Sequence, residues 1–323
     1  MQIQIIGGGS WGLALTRLLA LNGQSVQLWC RQEDDPDQLR RTRESKAYLP
    51  GVLIPEEVKI EDTVNSDANM VIYAVPSHAM RVVVPTFAFN GTPFRVSVAK
   101  GIENETLLRM SEVIEELAPG SPVVSLSGPS HAEEVGRGLP ASVVAASANA
   151  DARHAVQEAF FCNSFRVYSS PDIVGVELGG SLKNVVAIAA GVCDGFELGD
   201  NAKSALITRG LAEMARLGVA CGANPLTFAG LSGMGDLITT CTSKHSRNRA
   251  VGEAIARGKS LDDIVRESRM VAEGIRTTQS THALAQKMGV DLPLAEATYG
   301  VLFEGLPARE AIESLMAREA KPE

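Results

Sequence analysis

The segment Gly7-Gly8-Gly9-Ser10-Trp11-Gly12 sets Gly7, Gly9 and Gly12 in the spacing G-x-G-x-x-G. In that spacing the first glycine permits a tight turn, the second lets backbone approach a pyrophosphate, and the third lets a helix pack closely on its strand. A helix start after the turn presents N–H groups to an anion, so the stretch is suited to a dinucleotide. Three glycines alone could be a simple turn. Here they follow the apolar run Ile3-Gln4-Ile5-Ile6 and precede an amphipathic stretch from Leu13 to Leu19, which favours binding. Far along the chain, Ser246-Arg247-Asn248 gathers hydroxyl, guanidinium and amide donors suited to phosphate oxygens. A solvated basic helix start is the bland alternative. Lys183-Asn184 lies inside a strongly apolar helical stretch. An unpaired buried ammonium is expensive, so the pair should face a partner or a cavity unless Lys183 snorkels to a rim.

Other residues are singled out by position. Arg31 falls where the second strand should end. A carboxylate about 20 residues after the glycines usually binds the ribose diol of NAD, whereas an arginine there can accept a 2′-phosphate. Arg31 therefore points to NADP(H), with NAD(H) also usable because Glu33, Asp34 and Asp35 follow closely. Lys100 and Gly128-Pro129-Ser130 end two further strand-like runs, where parallel sheets bind ligands. Gly230-Leu231-Ser232-Gly233-Met234-Gly235-Asp236 is a glycine-punctuated loop ending in a carboxylate. Arg209 and Glu213, four apart, are expected to pair along one helix.

These residues need a scaffold, and the hydropathy pattern supplies one. Strand-like runs at 24–30, 69–76, 94–99, 122–126, 141–146 and 165–168 alternate with helical segments. That alternation implies a parallel, doubly wound sheet in an α/β fold, a Rossmann-type arrangement once the glycine turn is included. After Asp172 strand runs stop and helical periodicity takes over. The expected organisation is a dinucleotide-binding domain over 1–172 and an all-α C-terminal domain over 173–323 that holds substrate. Gly179-Gly180 inside the helix after Asp172 is costly, so a close approach of backbone, cofactor or another helix should offset it.

Composition excludes several classes. A net charge of −8 argues against a general nucleic-acid or anionic-membrane binder. No uninterrupted apolar run is expected to span a membrane, and no signal-like leader is evident, which favours the cytoplasm. The five cysteines are scattered without C-x-x-C spacing, so reduced, mostly buried thiols and no metal site are expected.

Six segments in this order resemble the bacterial NAD(P)-dependent glycerol-3-phosphate dehydrogenases: Gly7 to Gly12, Ala99 to Glu103, Leu126 to Ser130, Glu177 to Val185, Leu231 to Asp236, and Ser246 to Asn248. The resemblance covers essentially the whole chain. It implies reversible hydride transfer between NAD(P)H and dihydroxyacetone phosphate, giving sn-glycerol 3-phosphate for phospholipid synthesis. It also implies that Lys183 is the general acid in reduction and the base in oxidation. Lys100, Gly128, Ser130, Asp236, Ser246, Arg247 and Asn248 match substrate positions. Gly7, Gly9, Ser10, Trp11, Gly12, Arg31, Tyr48, Lys100, Ala132, Arg247, Val271 and Glu273 match cofactor positions, and a homodimer is expected. Gly8 stands where alanine is common and should matter little. Gln32 stands where a second basic residue would strengthen NADP binding. The competing readings are a related two-domain β-hydroxyacid or sugar-acid dehydrogenase, which would recognise a carboxylate, and a non-enzymatic NADP(H) sensor.

Overall fold

The computed structural model of the protein describes residues 1–91, 93–267 and 272–319. The chain forms two compact units, Met1–Lys100 with Leu108–Glu177, and Gly101–Leu107 with Leu178–Glu323.

The first unit is built on eight strands: β1 (Gln2–Ile6), β2 (Ser25–Trp29), β3 (Lys59–Ile60), β4 (Met70–Tyr73), β5 (Phe94–Ser97), β6 (Val123–Ser127), β7 (Ala141–Ala146) and β8 (Phe165–Ser170). Their order is β3-β2-β1-β4-β5-β6-β7-β8. Side chains alternate across the strands, as a period of two requires. Ile3, Ile5, Met70 and Ile72 pack with Leu13, Leu15 and Leu19 of the Ser10–Leu21 helix and with Val156 of the Ala150–Phe160 helix. Ile6, Val71 and Tyr73 join a second cluster with Met80 and with Val113 and Ile114 of the Met110–Leu117 helix. Burial on both faces explains why these strands read as continuous apolar runs. The strand order runs outward in both directions from β1 and β4, and the carboxyl ends of such neighbouring strands form the crevice where doubly wound sheets bind ligands.

The sheet departs from the fully parallel expectation at one place. β7 runs antiparallel to β6, and β8 runs parallel to β7. The segment joining β6 to β7 contains only the four-residue Ala132–Val135 helix, which makes no crossover and returns the chain alongside β6. The two-residue β3 is too short to show a period and escaped the sequence reading.

The helix Ile173–Gly195 begins where Asp172 Oδ1 accepts a hydrogen bond from the Gly175 amide at 2.9 Å. The division between the units falls inside it, after Glu177. By length and composition alone this helix could cross a membrane, but Glu177 and Lys183 interrupt its apolar run and 83% of its apolar stretch is buried. Its apolarity is that of a core helix.

From Leu178 onward the described residues form helices and no strands. Gly179 has the expected reason to be glycine: an added Cβ would stand 2.7 Å from the Ser232 carbonyl oxygen. Glu213 does not spend its charge on Arg209. Buried, it accepts hydrogen bonds from the Leu294 and Ala295 amides at 2.8 and 3.1 Å, at the start of the Pro293–Phe303 helix. Free amides at a helix start prefer an anion, and that tertiary contact outcompetes an i,i+4 pair. None of the five cysteines forms a disulfide, and Cys30, Cys193 and Cys241 are buried.

Candidate active site

In the first unit the glycine turn closes the carboxyl end of β1. Gly7 holds φ +121°, a value that disfavours other residues, and its amide donates to Trp29 O at 2.9 Å. A Cβ there would overlap the Ala74 carbonyl oxygen, and a Cβ on Gly12 would overlap the Gly7 carbonyl, so both glycines serve close packing. Gly8, expected to matter little, is constrained as well: its Cβ would stand 2.5 Å from that of Cys30. The neighbour at the end of β2, rather than the turn itself, makes alanine a poor fit. Gly9 differs from the other three. It adopts an ordinary extended conformation, φ −72°, and a Cβ on it meets no described atom within 4 Å. Neither strain nor protein packing explains glycine at that position.

Ser10 opens the following helix, buried, with its hydroxyl donating to Tyr48 O at 2.6 Å. Trp11 and Tyr48, both half-buried, pack against the cluster beneath. Arg31 lies two residues past β2, largely exposed, and its guanidinium grips Asp34 through Nη2 at 2.9 Å and Nε at 3.3 Å. The Tyr48 hydroxyl donates to the same carboxylate at 2.9 Å. Burial, then the Asp34 charge, pushes the Cys30 thiol up to about 11, so this thiol stays protonated at neutral pH.

Farther along the carboxyl ends of the strands, Lys100, Gly128 and Ser130 come together beyond β5 and β6. Lys100 Nζ donates to Gly128 O at 3.0 Å, and the Ser130 hydroxyl donates to the same oxygen at 2.9 Å. Gly128 holds φ +146°, and its Cβ would stand 2.9 Å from Val143 Cα. Ala132 begins the short helix that follows, nearly buried.

The second unit assembles its polar residues from four helices. Lys183 is only 5% exposed, and its Nζ donates to Asp236 Oδ1 at 2.8 Å and to Thr240 Oγ1 at 2.6 Å. Asp236 heads the Asp236–Thr242 helix, which places Thr240 one turn on, on the same face. The Thr240 hydroxyl donates in turn to Asp236 O at 2.6 Å. The ammonium is thus buried with a carboxylate and a hydroxyl, which answers its desolvation cost. One residue on, Asn184 Oδ1 accepts from Asn248 Nδ2 at 2.9 Å, and Asn248 Oδ1 accepts from the Gly274 amide at 2.9 Å. Those bonds use one of the two amide protons of Asn248.

Ser246 caps the Arg247–Ala256 helix, its hydroxyl accepting from the Arg249 amide at 3.2 Å. Arg247, at the first position of that helix, is exposed. Glu273 opens the Glu273–Met288 helix beside Gly274, so Asn248 ties the starts of these two helices together. Val271 lies outside the described residues. Among the described residues there is no group of three or more His, Cys, Asp or Glu able to hold a metal ion.

With this geometry in place, comparison with known proteins is decisive. The family described as NAD-dependent glycerol-3-phosphate dehydrogenase matches over residues 2–153 with its N-terminal model and over 172–313 with its C-terminal model. The chain belongs to that family. It is 50% identical over 327 residues to a glycerol-3-phosphate dehydrogenase [NAD(P)+] of Pelotomaculum thermopropionicum, covering 98% of this chain and 93% of the relative. The same identity over 332 residues relates it to the enzyme of that name from Prosthecochloris aestuarii, with both chains covered completely. Among solved structures, glycerol-3-phosphate dehydrogenase of Coxiella burnetii superposes with TM-score 0.94 at 36% identity, over 98% of this chain and 99% of that one.

One residue beside these positions went unnoticed in the sequence, and another was noted only as one of three carboxylates after Arg31. Thr240 had a signal, since it stands four after Asp236 at helical spacing. Asp34 stands three after Arg31, the spacing that brings side chains together in a 3₁₀ turn, but two neighbouring carboxylates hid it.

Proposed function

We propose that the chain reduces dihydroxyacetone phosphate reversibly to sn-glycerol 3-phosphate with NAD(P)H, with Lys183 as the proton donor. The observation that carries this reading is the buried Lys183 ammonium held by Asp236 and Thr240 in a member of this family. A bound nicotinamide supplies or takes the hydride at C2 of the substrate. Lys183 holds a proton at Nζ, gives it to the oxygen that becomes an alkoxide during reduction, and recovers it in oxidation. Asp236 balances the ammonium and fixes its direction. Thr240, donating to Asp236 O, is left to accept from Nζ and restricts its rotation.

The open space at Gly9, at the start of the Ser10–Leu21 helix, fits a pyrophosphate brought against backbone amides. Gly7, Gly9, Ser10, Trp11, Gly12, Tyr48, Lys100, Ala132, Arg247 and Glu273 are the cofactor residues in this reading, with Arg31 at the adenosine ribose and NADP(H) preferred. Lys100, Gly128, Ser130, Asp236, Ser246, Arg247 and Asn248 are the substrate residues, with Arg247 and Asn248 for the phosphate. In this reading residues 1–172 carry most of the cofactor positions, and residues 173–323 carry the proton donor and the phosphate positions. By resemblance to the family, we place a homodimer in the cytoplasm, serving glycerophospholipid synthesis.

Steady-state reduction of dihydroxyacetone phosphate with NADPH and NADH side by side tests substrate and cofactor together. Turnover with both, faster at low NADPH, is expected. Turnover only with non-phosphorylated β-keto acids would replace the reading with a hydroxyacid dehydrogenase, and tight NADPH binding without turnover on any ketone would replace it with a sensor.

A further inference from the structure

We propose that Asp34 sets the choice between NADPH and NADH, by competing with the 2′-phosphate for the guanidinium of Arg31. The proposal rests on the reading of Arg31 as the residue at the adenosine ribose.

The local backbone builds the competition in. Arg31 caps the 3₁₀ turn Gln32–Asp34, and the Asp34 amide donates to Arg31 O at 3.0 Å. Side chains three apart on such a turn eclipse one another. Arg31 and Asp34 therefore meet without either side chain having to reach, and the guanidinium engages both carboxylate oxygens, at 2.9 and 3.3 Å. The two partners differ in their surroundings: the Arg31 side chain is 62% exposed and that of Asp34 only 6%. The carboxylate is fixed from within by the Tyr48 hydroxyl at 2.9 Å, and the Ser10 hydroxyl holds Tyr48 O at 2.6 Å. Asp34 is thus a fixed, buried anion on the inner side of an exposed arginine at the end of β2.

A 2′-phosphate binds arginine best through the same two-pronged donor edge that Asp34 now occupies. To accept it, Arg31 must share or leave Asp34. If Arg31 leaves, the buried carboxylate keeps only the Tyr48 hydroxyl, and if Arg31 is shared the carboxylate faces the incoming negative charge; both are unfavourable. NADH carries a hydroxyl at that position and makes no such demand. Gln32, beside Arg31, bonds to Asp62 Oδ1 at 3.4 Å and brings no second positive charge. The arrangement narrows the NADPH advantage that Arg31 alone would give, and so keeps both cofactors in use.

The test measures dissociation constants of NADPH and NADH by calorimetric titration of the purified protein without substrate, for wild type and three variants. Asp34→Asn keeps the size and an acceptor for Tyr48 but removes the charge. It should tighten NADPH about tenfold, the effect of one charge-assisted hydrogen bond, and leave NADH within about twofold. Tyr48→Phe withdraws the inner donor and leaves Asp34 to Arg31 alone, so the NADPH-to-NADH preference should fall about threefold. Arg31→Ala should remove the NADPH preference altogether. If Arg31→Ala shifts the preference while Asp34→Asn and Tyr48→Phe leave it unchanged, the Asp34 proposal is wrong and the Arg31 reading stands. If Arg31→Ala leaves the preference unchanged, the Arg31 reading falls and the proposal with it. A purely structural role for Asp34 predicts equal weakening of both cofactors, which also overturns the proposal.

Discussion

Two lysines at candidate site positions are held in opposite ways. Lys183 is buried in the helical unit, with its charge answered by the Asp236 carboxylate and its direction fixed by Thr240. Lys100, at the end of β5 in the sheet unit, is half-buried and donates to a backbone carbonyl, Gly128 O. A carboxylate that faces an ammonium in a buried setting fixes its direction and balances its charge while the proton is held. A carbonyl fixes the ammonium in place but offers no such compensation. In the proposed function the contrast supports proton chemistry at Lys183 and plain electrostatic attraction for phosphate or ketone oxygens at Lys100.

The contrast can be broken by removing the acceptors and the lysines in turn. Asp236→Ala removes the carboxylate that faces a buried ammonium, and unfolding by urea should show a loss of about 3–5 kcal/mol. A loss below about 1 kcal/mol would mean that water, rather than the carboxylate, answers the charge of Lys183. Glu213→Gln is the next largest. One of the Leu294 and Ala295 amides loses its acceptor, costing about 1–3 kcal/mol. Burial pushes the Glu213 carboxyl up from 4.5. The native state therefore binds this proton more readily than the unfolded state. The stability linked to it is complete below pH 4.5 and is lost as pH rises through the native value. The variant should show a flatter stability profile above that pH, and an unchanged slope would contradict the burial argument. Lys100→Met is the mildest for the fold. Its bond to the Gly128 carbonyl is worth about 1 kcal/mol or less, whereas KM for dihydroxyacetone phosphate should rise about tenfold or more. A fall in kcat at unchanged KM would mean that Lys100, too, acts in the chemical step.

The sequence disclosed the parts of this molecule that local chemistry determines. Strands buried on both faces leave apolar runs, and the glycine turn carries its own spacing, so β1, β2, β4, β5 and β6 were readable. The direction of β7 was not, because strand and helix alternation says nothing of a connection that fails to cross the sheet. Lys183 stood out as a charge inside an apolar helix, but its pairing with Asp236 lies across distant segments, where spacing gives no guide. Gly8 and Glu213 were misjudged for a shared reason. Each was weighed against its neighbours in sequence, while Cys30 in one case and the start of the Pro293–Phe303 helix in the other decide what is tolerated.

The most direct measurement is single-turnover oxidation of NADPH by dihydroxyacetone phosphate in Lys183→Ala, with NADPH affinity determined on the same protein. The general-acid assignment predicts a hydride-transfer rate reduced at least about a thousandfold, with the NADPH dissociation constant within about twofold of wild type. A rate within about tenfold of wild type in a protein that binds NADPH normally would contradict it.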